Sequence, residues 1–177
     1  MLLRLFTIAC CLSLFAIACN PVEEIIKEQE KNGTFTAKID GEIFSLSGVF
    51  VSADYINTNG IVQSLAIAAA KPPITGTSEG IALVIVSTDS TDIAVGEVYS
   101  ATNPAKLGAG EYVLDDDNTI DVKAVSENTG IANITITKLD LTNNLVSGTF
   151  SFDAVDEDDP TKVYKITEGV FTDIPLQ

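Results

Sequence analysis

The sequence predicts an all-β domain over residues 33–177, an antiparallel β-sandwich or closed, flattened barrel of about ten short strands. Three observations carry this. Apolar and polar residues alternate with period two in one segment after another, and turn residues recur about every 8 to 12 positions. No stretch after Gly33 repeats apolar residues at i, i+3, i+4 and i+7 for three turns, so helices are expected to be absent or trivial.

Taken in order, Phe35, Ala37 and Ile39 alternate with Thr34, Thr36, Lys38 and Asp40, a half-buried strand. Asp40-Gly41 suits a two-residue type I′ turn, which needs positive φ at both positions, and the return strand runs from Glu42 to Ser47. Val49, Val51, Ala53 and Tyr55 alternate again, and Asn57 to Gly60 closes that run. Val62 to Ala70 is followed by the breaker Lys71-Pro72-Pro73 and the loop Gly76 to Gly80. Ile81 to Val86 is apolar on both faces, which predicts a strand buried between two layers. Val95 to Ala101 and Glu111 to Leu114 read as short strands separated by a loop from Asn103 to Gly110. Asp115 to Asn118 is an acidic turn before a strand from Thr119 to Val125. The clearest hairpin joins Ala132–Leu141 to Leu145–Val155 through Thr142-Asn143-Asn144, since asparagine tolerates the left-handed conformation. There Phe150, Phe152 and Ala154 share one face. Asp156 to Pro160 is a loop, and Val163 to Asp173 is a final strand pair or one long bent strand.

Ahead of this domain stands a different kind of segment. Arg4 gives a short positive start, Leu5 to Ala18 is apolar, and Ala16, Ile17 and Ala18 lead to Cys19. The apolar run falls short of the roughly 20 residues that a membrane-spanning helix needs, so residues 1–18 read as a signal peptide. A cysteine directly after such a site looks like the lipobox of bacterial lipoproteins. Lipidation is therefore expected at Cys19, with membrane attachment through its acyl chains. Residues 19–32 read as a lipidated tether: Asn20 and Pro21 suit a helix start, but three turns are marginal in water.

Composition then narrows the chemistry. Cys10 and Cys11 leave with the signal and Cys19 carries lipid, so no thiol remains for a disulfide, metal or nucleophile. Nine lysines against 25 acidic residues leave the mature chain at a net charge of −16, without arginine, histidine or tryptophan. Such a chain repels phosphate backbones, which argues against nucleic-acid binding, and it is expected to be monomeric. Ser-His-Asp and Cys-His chemistry have no residues to work with, and zinc or iron would lack its usual nitrogen and sulfur ligands.

Two acidic clusters invite a calcium reading: Asp115, Asp116 and Asp117 with Asn118, and Asp153, Asp156, Glu157, Asp158 and Asp159. Calcium wants six to eight oxygens, and neither cluster has the spacing of an EF-hand loop, so solvated turns at a sheet edge are the favoured reading. No metal, cofactor or catalytic residue is assigned. A glycosidase-type carboxylate pair is the remaining enzymatic option. Tyr55, Tyr99, Tyr112 and Tyr164 are the only polar aromatics available as sugar platforms, and each reads better as covering a strand face with its hydroxyl at the boundary.

The segments Thr34 to Gly41, Ile134 to Phe152 and Ile166 to Phe171 resemble a family of small Bacteroidota lipoproteins with a β-rich domain of unknown function. The strongest element is the run Val146 to Phe152. Ile43-Phe44 stands where many of that family carry a tryptophan, and Glu23 and Glu24 fit only loosely the acidic surface-export signal of such lipoproteins. The resemblance implies no activity and no site residues. Together these readings lead to an outer-membrane lipoprotein facing the periplasm or the outside. Its expected role is a binding or accessory module for an envelope protein or glycan, rather than an enzyme.

Overall fold

The computed structural model describes residues 33–58, 62–72, 76–88, 92–116, 119–126 and 129–177, with no side-chain description at 116 and 119–121. The expected signal peptide, Cys19 and tether lie outside the described residues, as do Asn59 and Gly60 of one turn, Pro73, and Asp117 and Asn118.

Among the described residues eleven strands follow one another: β1 (Thr34–Ile39), β2 (Glu42–Ser47), β3 (Val51–Thr58), β4 (Val62–Ala70), β5 (Thr77–Ser87), β6 (Val98–Ser100), β7 (Lys106–Asp116), β8 (Thr119–Val125), β9 (Ala132–Asp140), β10 (Leu145–Asp156) and β11 (Val163–Pro175). They form a single sheet in the order β2-β1-β11-β10-β9-β6-β7-β5-β4-β3, with β8 bridging β7 and β10. Neighbours are antiparallel apart from the short β6–β7 contact at Ser100 and Leu107. The sheet folds over on itself as a flattened barrel. One end of that order is met by the chain's C-terminus: Ala53 of β3 bridges Leu176, just after β11, and the Gln177 amide donates to the Ala53 carbonyl at 2.9 Å. The all-β expectation holds.

Local chemistry sets the turns. Asp40 and Gly41 have φ of 50° and 94°, the two positive values that a type I′ hairpin requires. Asn144 takes φ 55° in the β9–β10 turn, and Asp140 fastens that turn by accepting the Thr142 and Asn143 amides. The inward positions alternate as the sequence demands: Phe35, Phe44, Phe152 and Phe171 are fully buried, and Phe150 nearly so. Phe150 sits 4.9 Å from Phe35 and 6.3 Å from both Phe152 and Phe171, an aromatic centre for the core. Each such ring contributes about 1.5–3 kcal/mol by leaving water.

Several boundaries differ from the sequence reading. Residues 48–50 make a 3-10 turn instead of opening β3, and Val49 is 66% exposed. β7 begins at Lys106, inside the expected loop. Gly108 lets the Tyr99 carbonyl come to 2.6 Å of where a Cβ would stand, and Gly110 makes room for the Phe152 ring in the same way. Ile81, Leu83 and Ile85 point into the core, but Val84 is 42% exposed, so β5 has one covered face and not two. β11 is one long strand, bent where Glu168 and Asp173 take positive φ.

Candidate functional site

The β1–β2 hairpin ends beside the β4–β5 connection, and the two enclose a recess of about 310 Å³. Its walls come from Asp40, Glu42, Ile43 and Phe44 of the hairpin, Lys71 and Glu79 flanking the β4–β5 loop, Tyr112 of β7 and Tyr164 of β11. The hairpin is locked to β11: the Asp40 amide donates to the Lys165 carbonyl, and the Lys165 amide donates to Asp40 Oδ1, both at 2.9 Å.

Glu79 organises the floor. Its Oε2 pairs with Lys71 Nζ at 2.5 Å, and its Oε1 accepts a hydrogen bond from the Tyr112 hydroxyl at 3.0 Å. Lys71 also lies 4.8 Å from the Phe44 ring centroid, so its ammonium is held between a carboxylate and an aromatic face. Tyr112 and Tyr164 pack with ring centroids 5.0 Å apart, and Lys162 caps the Tyr164 ring at 5.0 Å. Burial first, and then the Glu79 carboxylate, pushes the Tyr112 phenol well above its usual pKa. Tyr112 is therefore a fixed neutral donor, and Glu79 is engaged at both oxygens, one by Lys71 and the other by Tyr112. With three carboxylates against one ammonium on the walls, the recess is negative. The arrangement suits a small cationic or hydrogen-bonding group, not an anion.

The other residues singled out from sequence serve structure. Tyr99 is 1% exposed, so it sits inside the core and not at its boundary. The Tyr99 hydroxyl accepts the Ala94 amide at 3.0 Å. Tyr55 donates to Gln63 Oε1 at 2.8 Å, and this buried glutamine also accepts the Ile93 amide and donates to Asp92. In the second acidic cluster, the expected solvated turn is only partly solvated. Asp156 is 5% exposed and holds the loop by accepting the Asp158 and Asp159 amides at 3.0 and 3.4 Å. Asp159 Oδ1 turns to Thr161, while Glu157 pairs with Lys123 at 3.3 Å. These carboxylates are spent on separate partners. Of the first cluster, Asp115 lies within β7, one residue before its end, with Oδ1 buried and lacking a hydrogen-bond partner. Among the described residues, no group of three acidic side chains converges as a metal site would require.

The sequence puts Asp40 in a turn and Tyr112 and Tyr164 on strand faces, but nothing in it joins them to Lys71 and Glu79. No local spacing links residues from the β1–β2 turn, the β4–β5 connection, β5, β7 and β11. No curated protein and no solved structure matches the chain. A family model covering residues 31–175 does, so the chain that builds this recess belongs to the family of domains of unknown function designated DUF6252.

Proposed function

We infer that this chain is a lipid-anchored envelope lipoprotein, held at the outer membrane through Cys19, whose β domain acts as a binding or accessory module and not as an enzyme. The N-terminal run ending in Ala16, Ile17, Ala18 and Cys19 supports the anchor. The observation that carries the binding reading is the recess: rigid strands hold Glu79, Lys71, Tyr112 and Tyr164 in one mutually bonded set beside the Asp40–Gly41 turn. Such a set presents a shaped, charged opening.

Fractionation of native envelopes tests both halves. The wild-type chain should remain with membranes through a carbonate wash, because each buried methylene contributes about 0.8 kcal/mol. Cys19→Ser should be released or left uncleaved. Crosslinking on intact envelopes should capture a partner with the wild type and lose it with Tyr164→Ala. A Cys19→Ser chain that fractionates like the wild type removes the anchor, and capture that ignores Tyr164 removes the recess from the binding role.

A further inference from the structure

The recess opens onto a free strand edge. β2 ends the sheet order, and among the described residues it pairs with β1 alone. Its register with β1 starts at Ile39 and Glu42 across the two-residue turn, and the Gly48 amide donates to the Gly33 carbonyl at 3.3 Å at the other end. In an antiparallel pair the residues that exchange bonds alternate with those that do not. Glu42, Phe44 and Leu46 therefore turn their backbone groups to β1, while Ile43, Ser45 and Ser47 turn theirs outward.

Sheet proteins ordinarily blunt such an edge with lysine, proline, a bulge or a covering segment. The other end of this sheet is treated so: the chain's C-terminal residues cross the β3 edge at Ala53. β2 has the sequence Glu42-Ile43-Phe44-Ser45-Leu46-Ser47, without lysine or proline, and none of its residues has positive φ. Exposed apolar side chains flank it, with Ile43 at 77%, Val49 at 66% and Phe50 at 40%. Glu42, Ile43 and Phe44 line the recess as well as the edge, so a strand laid along β2 would pass its end residue over Asp40, Glu42 and Glu79.

We propose that β2 accepts an extended peptide segment of a partner protein as an additional strand, with a basic side chain of that segment seated in the recess. This rests on the binding reading above and names its partner chemistry. Main-chain hydrogen bonds at Ile43, Ser45 and Ser47 give the segment affinity, and the negative recess selects lysine or arginine at one end of it. Charge complementarity decides against a second copy of this chain. Its net charge is −15, and a second β2 edge, Glu42–Ser47, has no basic side chain to seat in the recess. A saccharide has no backbone to match the outward N–H and C=O groups.

The test uses two blocked hexapeptides added to the full chain in detergent: a valine–threonine run with lysine at each end, and the same run with glutamate at each end. Amide hydrogen exchange by NMR should show the lysine peptide protecting Ile43, Ser45 and Ser47, and the glutamate peptide binding at least tenfold more weakly. Ser45→Pro removes an outward N–H at an edge position where proline is tolerated, and should abolish the protection. Glu42→Lys leaves the backbone unchanged and should lower the affinity for the lysine peptide about fivefold, the effect of one exposed charge pair. Equal affinity for the two peptides, or binding that leaves the three amides exchanging freely, overturns the proposal. Protection that grows with protein concentration in the absence of peptide also overturns it, and assigns the edge to self-association. Loss of peptide binding alongside Tyr164-dependent capture from envelopes would sink the strand proposal while leaving the binding module standing.

Discussion

Phe150 and Gly169 face each other across β10 and β11, and their fit can be measured as a coupling. Gly169 is buried and does not have positive φ, so its missing side chain serves space and not backbone conformation. A Cβ built there would stand 2.6 Å from three carbons of the Phe150 ring, about 1 Å inside ordinary contact. The ring cannot easily retreat, because Phe35 stands 4.9 Å behind it. Gly169→Ala should therefore cost about 1–3 kcal/mol, the usual range for overpacking. Phe150→Ala removes the ring from a site only 4% exposed and should cost about 3–5 kcal/mol. In the double variant the new methyl enters space that the ring has left, and alanine is favoured over glycine in a strand by about 0.5–1 kcal/mol. The second substitution should then be neutral or stabilising, giving a coupling of about 1–3 kcal/mol between the two sites. Urea unfolding of residues 33–177, followed by far-UV circular dichroism, measures all four corners of the cycle. Thr149→Ala, exposed on the opposite face, serves as the control and should change stability by less than about 0.5 kcal/mol. Additive costs within about 0.5 kcal/mol would show that the ring does not cover Gly169, and the packing described for this face would be wrong.

Two further outcomes follow from the carboxylates and from Tyr112. The Tyr112 phenol is raised in the folded chain by burial and by Glu79, so above a pH of about 10 the unfolded chain loses a proton that the folded chain keeps. Stability should consequently fall by up to about 1.4 kcal/mol per pH unit from there upward, and Tyr112→Phe should remove that slope while leaving stability at pH 7 little changed. An identical alkaline slope in wild type and variant would contradict the hydrogen-bonded, buried placement. Calcium should raise the melting temperature no more than matched magnesium does, since Asp156, Glu157 and Asp159 are engaged by separate partners. A bound ion at 100 times its dissociation constant would add about 2.7 kcal/mol and several degrees, and such a rise, lost in Asp158→Asn, would restore a calcium site.

How far the fold could be read from sequence depends on what each residue was doing. Alternation located β1 and the 149–154 part of β10 because their inward positions carry Phe, Ile or Ala and their outward ones Thr, Ser, Lys or Asp. It failed where small residues answered to a neighbour instead of to the strand. Gly108 and Gly110 look like loop punctuation, yet both lie inside β7 because Tyr99 and Phe152 occupy the space their side chains would take. It also misjudged β5, whose Ala82, Val84 and Val86 are apolar without being buried as deeply as Ile81, Leu83 and Ile85. Apolarity on both faces is a licence for burial, not a demand for it, and here the outer face stays at the surface.

The recess was less legible for a reason that goes beyond sequence separation. Lys71 and Glu79 lie eight residues apart, across a Pro-containing loop and a strand start, a spacing that does not imply contact. They meet because the Lys71 amide donates to the Glu79 carbonyl at 2.8 Å, extending the β4–β5 ladder past Ala70. Tyr112 joins them because the β5–β7 register sets Ile81 opposite Tyr112, two residues along from Glu79 and on the same inward face. Tyr164 arrives from β11, opposite Ala154 of β10, once the sheet has curled far enough to bring β11 over β7. The ion pair and the tyrosines are thus consequences of register and curvature, each set by packing elsewhere in the barrel. A change that slipped β5 by one residue would turn Glu79 away from Tyr112 and send every inward side chain of that strand outward. The core holding β5 in place is therefore also what keeps the recess in shape, and substitutions at Leu83 or Ile85 should disturb binding as well as stability.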